Sequence, residues 1–366
     1  MRKETIKLTR KIQLRVDAPT KEERKEALDT LYRWQNRSYR AGNLIVTHQY
    51  IQEMIKDFFY LSEGIKYRLV DDKKAEDGML NRSKSNCTYR VVSDRFKGDV
   101  PTNILANMNY NIMNNFGKNL AQYRRGERSL ANFRRDIPFP FGTIGIHGLS
   151  YKNEKKAFCF RLFSIPFKTY LGKDYTDKRS LLKQVVAGQI KLCASKIQLN
   201  KGKIYWLAVF EVAKEKHSLK PEVIAEASLS LEYPIIVKSG KAKLNIGSRE
   251  EFLYRRLAIQ AALQRAQNAT AYCRSGKGRK RKTKAVERFH EKEKNYVGNR
   301  LHVYSRMLID FCIKQQAGTL ILINQEDKME IAKKENGFVL RNWNYYELMT
   351  KIKYKAEKAG IELIVD

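Results

Sequence analysis

The stretch RSGKGRKRKTK (274–284) sets Arg274, Lys277, Arg279, Lys280, Arg281, Lys282 and Lys284 within eleven positions. Cations at this density hold phosphates, because each neutralised phosphate releases a condensed counterion and so adds affinity. A solvated, mobile loop is the competing reading of such a run. A second stretch, YRRGERSLANFRR (123–135), brings Arg124, Arg125, Arg128, Arg134 and Arg135 close to Tyr123 and Phe133. Guanidinium planes and aromatic rings stack on unpaired bases while further arginines hold phosphates. A plain basic linker is the alternative here. Lys351 and Lys355 lie one helical turn apart and can share a backbone contact. The residues that would do metal or redox chemistry are dispersed. Cys87, Cys159, Cys193, Cys273 and Cys312 form no CxxC pair, and the five histidines are equally scattered. This spacing argues against a structural zinc site and fits a reducing cytoplasm.

The whole chain shares the bias of these runs. Lysine and arginine total 72 of 366 residues against 39 acids, a formal net charge of +33. A charge of this size repels itself and calls for a polyanion nearby. Nucleic acid fits better than an anionic membrane surface, because the cations are spread along the chain and no run of ~18 apolar residues exists. Met1-Arg-Lys-Glu opens into polar alternation with no apolar leader, so a cytoplasmic, nucleoid-associated location is expected. With 43% hydrophobic residues the chain can bury real cores, and its length suggests two or three domains.

The elements that must position these residues follow from periodicity. Residues 4–16 alternate as a strand, and 21–59 turn helical with Leu28, Leu31, Trp34 and Tyr39 as candidate core. Residues 61–100 read as loop or irregular helix, and Pro101 opens a helix to about Tyr123. The segment 124–142 is basic and then proline-rich, and reads as a linker outside the core. Residues 143–213 are strand-rich, with a hairpin turning at Asn200-Lys201-Gly202. Together with the first strand they predict one small barrel into which the helices of 21–123 are inserted. After a boundary at 217–221 come strands at 223–229, 233–238 and 241–247, then a long helical region. Val297, Leu301, Tyr304, Leu308 and Phe311 recur along it at helical spacing. The strand TLILIN (319–324), a helix over 341–359 and the strand IELIVD (361–366) follow. The order β-β-β-α-β-α-β is that of an RNase H-like sheet stopped one helix short.

These segments carry a resemblance. RNWNYYELMTKIKYKAEKAGIELIVD (341–366) is similar to the stretch before the zinc ribbon in the RuvC domain of TnpB transposon nucleases and type V CRISPR effectors. AGTLILIN (317–324) resembles the family strand that ends in a catalytic Glu, and EASLSLEYPIIV (226–237) resembles the first RuvC strand. RGERSLANFRRDIPFPF (125–141) resembles the connector of the miniature type V-F effectors, and KLTRKIQLRV suits their wedge strand. The resemblance implies an α/β multidomain fold. Residues 1–20 with 143–216 would form a wedge-like β-barrel, 21–123 an inserted helical recognition domain, 124–142 a basic connector and 221–366 a RuvC, RNase H-like domain without its zinc ribbon. Lys7, Arg10 and Lys11, with Arg2, Lys3 and Arg15, would line the wedge and grip guide RNA and PAM-side duplex. The 274–284 run would lie beside the nucleic-acid channel.

RuvC chemistry is two-metal hydrolysis by clustered carboxylates. Alignment on Pro234 places Ser228 where the first Asp belongs, and alignment on Gly318-Thr319 places Ile323 where the Glu belongs. The third acid and the ribbon cysteines would lie beyond Asp366. The expectation is therefore a degenerate site, no bound Mg or Zn, and a protein that is not an enzyme. Glu226 and Glu232 flank Ser228, and Glu326 and Asp327 follow Ile323. Glu226 is two residues from Ser228 and would share its face. Intact basic segments and periodicities around the lost acids read as repurposing rather than decay. The implied function is RNA-guided DNA binding without cleavage, with guide RNA and double-stranded target DNA as partners. It would regulate transcription by occluding RNA polymerase, or by recruiting it with an extracytoplasmic-type sigma factor. An asymmetric homodimer on one guide is carried over as well. A residual metal-dependent nuclease using Glu226 and Glu326 is one alternative, and a plain RNA-binding protein the other.

Overall fold

The computed structural model describes residues 5–63, 84–172, 176–200, 202–228, 233–271, 276–323 and 345–365. The chain divides into two compact units, Lys7–Val212 and Ala213–Asp366 together with Met1–Ile6.

In the first unit, β1 (Thr5–Val16) alternates as its sequence predicts, burying Leu8, Ile12 and Leu14 while Lys7 and Lys11 point outward. Three helices follow: α1 (Lys21–Glu63), α2 (Lys84–Phe96) and α3 (Thr102–Arg124). Pro101 sits at the N-cap of α3, where its missing N–H is no loss. Then come β2 (Phe139–Phe141), β3 (Ile146–Lys152), β4 (Ala157–Leu162), β5 (Ile165–Tyr170), α4 (Lys178–Val186), β6 (Lys191–Asn200) and β7 (Lys203–Ala213). One sheet holds them in the order β2-β6-β7-β1-β5-β4-β3. β1 thus lies among strands more than a hundred residues later, with α1, α2 and α3 falling between them in the chain. The β6–β7 hairpin turns where expected, with Asn200 facing Lys203 and Gly202 at φ +75°.

Helices and sheet share one core. Trp34 of α1 meets Phe139 and Phe163 edge-on at 6.2 and 5.6 Å, and Trp206 packs on Phe160 at 4.9 Å. Leu31 and Trp34 are buried as expected, whereas Leu28 and Tyr39 are half-buried. Phe139–Phe141 departs from the linker reading of 124–142. It is a core strand with both phenylalanines fully buried. Its Pro140 is tolerated because β2 is an edge strand that pairs with β6 alone. The helix α4 and the helical state of 84–96 also go beyond what periodicity indicated.

The second unit contains β8 (Lys220–Ser228), β9 (Ile235–Ser239), β10 (Ala242–Ile246), α5 (Arg249–Ala271), α6 (Gly276–Lys314), β11 (Ala317–Leu322), α7 (Tyr345–Ala359) and β12 (Glu362–Val365). The sheet order is β10-β9-β8-β11-β12. β8, β9 and β10 pair antiparallel, and β11 runs parallel to both β8 and β12. Parallel neighbours require crossover connections, which helices supply here. The sheet buries Ala225, Ala227, Val237, Leu320 and Leu322 together with Leu301, Tyr304, Leu308 and Cys312 of α6 and Leu348, Ile352 and Ala356 of α7. The 3.6-residue periodicity read along 297–311 is this buried stripe. Gly318 is needed for close approach, since a Cβ there would stand 2.7 Å from the Lys220 carbonyl oxygen and 2.8 Å from Pro221 Cα. The fold is thus mixed α/β, with helices packed on two sheets.

Candidate nucleic-acid interface

Ser228 and Ile323, nominated from separate segments, do come together. β8 and β11 are adjacent parallel strands, and Ala227 is in register with Leu322. The Ile323 N–H donates to the Ala227 carbonyl at 3.1 Å, so the two positions sit side by side just past that buried pair. Ala225 and Ala227 face the core, so Glu226 and Ser228 point to the opposite face. Glu226 is exposed and lies across from Lys238 on β9. Ile323 is 41% exposed. Glu232, Glu326 and Asp327 lie outside the described residues. Among the described residues no three His, Cys, Asp or Glu are grouped so as to hold a metal ion.

The arginines of 124–135 have separate environments. The Arg124 guanidinium donates to Glu53 at 3.0 Å and to Asp57 at 2.9 Å, fastening α3 to α1. Glu53 is almost fully buried, so Arg124 answers a desolvated acid. Arg128 donates to Asn119 Oδ1 at 3.0 Å, and Arg125 approaches Glu127 at 3.7 Å. Arg134 and Arg135 are exposed. The two aromatics proposed for stacking are engaged inside the protein. Tyr123 leans on Phe116 at 5.2 Å. Phe133 is clamped by Asn43 of α1, which accepts from its N–H at 2.8 Å and donates to its carbonyl at 3.1 Å. Gly42 makes room for that ring, as a Cβ there would be 2.9 Å from it.

Most of the 274–284 run is helical, because Lys277, Arg279, Lys280, Arg281, Lys282 and Lys284 belong to the first turns of α6. Arg281 and Lys284 are exposed, and Arg274 lies outside the described residues. Lys351 and Lys355 share a face of α7 but not a role. Lys351 pairs with Glu347 at 2.8 Å. Lys355 turns inward and donates to the His302 carbonyl and, at 2.8 Å, to Ser305 Oγ. Burial, helped by Arg306 and Lys351 and opposed by Asp310, brings its pKa down to about 8.

On β1, Arg10 is held bidentately by Asp177, both contacts at 2.6 Å. Lys7 is exposed, and Lys11 lies over the Tyr205 ring at 4.2 Å. Arg15 stacks on Tyr170 in the same way at 4.0 Å. Sequence reading passed over both tyrosines. Strand alternation held the signal, since Tyr205 and Tyr170 occupy the outward positions of β7 and β5. No described helix is long and apolar enough to cross a membrane.

No family model matches the chain. It is 26% identical over 255 residues to the CRISPR-associated endodeoxyribonuclease Cas12f1 of Sulfoacidibacillus thermotolerans, covering 66% of this chain and 60% of that protein. It is 27% identical over 202 residues to Cas12f1 of Syntrophomonas palmitatica, covering 54% and 39%. The chain therefore spans less than two thirds of the length of either curated relative. The fold is similar to that in the cryo-EM structure of a Cas12f1-sgRNA-target DNA complex, with a TM-score of 0.70 at 15% identity over 99% of this chain and 89% of that one. These relatives correct the expectation that the chain is not an enzyme, because both are named as endodeoxyribonucleases. The physical reason is local. Two substituted strand positions do not strip a strand of carboxylates, and Glu226 sits on the same exposed face as Ser228. Sequence similarity to two proteins and a fold shared along nearly the whole chain make it a homologue, at modest identity, of Cas12f1, the miniature type V-F effectors.

Proposed function

We propose that the chain is an RNA-guided, sequence-specific DNA-binding effector. The observation that carries this is the 255-residue match to Cas12f1. In this reading base pairing reads the target, while the protein holds phosphates, recognises A-form shape and reads a short PAM-like element. Residues 1–20 with 143–216 act as the wedge, the helices of 21–123 as recognition domain, 124–142 as connector and 221–366 as the RuvC-like domain. Lys7, Lys11, Arg134, Arg135 and the first turns of α6 contribute phosphate contacts. RNA that co-purifies with the chain tests the proposal. One defined small RNA with a short variable guide supports it, together with a gel shift of duplex matching that guide. Bulk ribosomal RNA, or a shift indifferent to the guide, points to the plain RNA-binding protein instead.

The finer part is regulation of transcription. Bound at a promoter, the complex occludes RNA polymerase or recruits it with an extracytoplasmic-type sigma factor, a reading supported by the connector-like segment 125–141. A reporter carrying the guide-matched site should change output in the presence of chain and guide, and an unchanged output refutes this part. Two copies on one guide are also proposed. The exposed stripe of Ile51, Met54, Ile55 and Phe58 on α1 supports self-association, because its i, i+3, i+4, i+7 spacing makes one continuous apolar face.

A second reading is metal-dependent, RNA-guided cleavage. It is favoured by the relatives' activity and by Glu226 beside Ser228. Glu226 alone does not make a two-ion site. A plasmid assay with guide RNA and Mg²⁺ or Mn²⁺ decides: guide-dependent cuts abolished by Glu226→Gln establish it.

A further inference from the structure

A cavity of about 540 Å³ opens where the end of β1, the β3–β4 turn, the end of β5 and the start of α4 converge. Arg15, Lys155, Lys156, Lys168, Arg179 and Tyr170 line it, against one lining carboxylate among the described residues, Glu154. Behind these, Asp17 answers two of the cations at once. Lys155 donates to it at 2.6 Å, and Lys168 lies at 3.2 Å. Burial alone would raise the Asp17 carboxyl, but the two ammonium groups outweigh it and hold it below its usual range. The cavity therefore keeps a cationic surplus, and clustered like charges of this kind favour an anionic occupant.

Two further observations narrow the occupant. The Arg15 guanidinium lies 4.0 Å from the Tyr170 ring centre, and Tyr170 as a residue is 46% exposed. A guanidinium on an aromatic ring is a stack that a planar base can extend. Lys156 ends the β3–β4 turn at φ +47°, a left-handed conformation that disfavours a long side chain. Its N–H closes the turn on the Asn153 carbonyl at 3.1 Å. Asparagine or glycine would relieve that strain, yet this position carries a lysine, and it lines the cavity. The volume suits one nucleotide.

We propose that this cavity binds one unpaired nucleotide of RNA. The base extends the Arg15–Tyr170 stack, and the phosphate lies toward Lys156. The proposal rests on the reading that the chain carries RNA. It is tested with the full chain, by fluorescence anisotropy on a short single-stranded oligoribonucleotide, each variant being checked by its melting curve. Tyr170→Ala should weaken binding about ten-fold, while Tyr170→Phe retains it, since stacking and not the hydroxyl is at work. Lys156→Ala should weaken binding and lower the salt slope by about 0.7, the loss of one single-strand phosphate contact. A nucleoside monophosphate should compete, and inorganic phosphate should not. Oligoribonucleotide carrying 4-thiouridine should photocrosslink to Tyr170 or Arg15. If the unaltered chain binds RNA and these variants bind it equally well with an unchanged slope, the cavity assignment fails while the functional reading stands. Equal competition by inorganic phosphate overturns the stacked base. If the unaltered chain binds no RNA, both fall.

Discussion

Lys355 shows how little a lysine's position in a sequence says about its charge. Its ammonium is turned to a backbone carbonyl and a serine hydroxyl, and burial brings its pKa down to about 8. The unfolded chain would hold that proton to about 10.4. Between those values the unfolded state binds more protons, so stability rises with pH there. Below about 8 both states are protonated and the penalty for the charge is complete. Lys355→Met should therefore stabilise the protein at pH 7 by about 1 kcal/mol, allowing for solvent screening of the exposed part of the group. The gain should shrink to nothing by about pH 10.5 in a series of denaturant melts. Arg256 is the opposite case. It is buried and donates to Glu293 at 2.9 Å, and Gln260 donates to the same oxygen. Burial raises the Glu293 carboxyl, but these donors outweigh it and leave the pKa lowered. That stabilisation is present above the ordinary carboxylate range and is lost as pH falls through the depressed value. Arg256→Ala should destabilise by about 1–2 kcal/mol at pH 7, because it removes a charge-assisted hydrogen bond from the half-buried Glu293 carboxylate. Acid melts of the variant should also lose the part of the pH dependence due to Glu293.

The connector and the β8–β11 junction are the elements with most at stake. Asn43 satisfies both backbone groups of Phe133 across 90 residues. Asn43→Ala should lower stability by about 1–2 kcal/mol and make the bonds after Arg134 and Arg135 more sensitive to trypsin. Gly318→Ala should be worse, since its methyl would meet the β8 backbone and neither strand can yield without breaking register. Circular dichroism melts of the two variants give the comparison. Elements of this kind were legible in the sequence to very different degrees. β6–β7, β11 and α7 followed from alternation, a good turn and an apolar stripe, all local signals. β2 did not, because Pro140 between two phenylalanines looks like a break until an edge position makes it harmless. α4 did not, since nine residues with two buried leucines leave little period to read. In the candidate site, the cationic runs were plain from composition. What each cation does was not. Arg10 and Asp177 are 167 positions apart, and Arg124 and Glu53 are 71 apart, so only the fold reveals which cations carry a partner. The juxtaposition of positions 228 and 323 was legible only through the family resemblance, since no local signal pairs β8 with β11.

On the scale of the whole molecule, a net charge of +33 makes any polyanion affinity a function of salt. With six to ten phosphate contacts, affinity should fall about 10³–10⁵-fold between 50 and 200 mM salt. A binding isotherm flat in salt would contradict the electrostatic account. Self-association belongs to this scale too. Ile55→Lys places a charge in the middle of the α1 stripe and should shift the chain toward monomer in light scattering. An unchanged mass would remove that stripe from the interface.

The long helix α6 begins with lysines and arginines and has no acid in its first turn. Its dipole is therefore opposed where it starts, since the unsatisfied N–H groups there already carry partial positive charge. Over ~58 Å of helix only the far part is secured by the buried stripe, so the opening turns are the ones electrostatics would unwind. A phosphate chain laid along them would cancel the conflict, and winding there would register occupancy. Amide exchange across 276–290 should slow on adding polyanion and quicken again as salt strips it away.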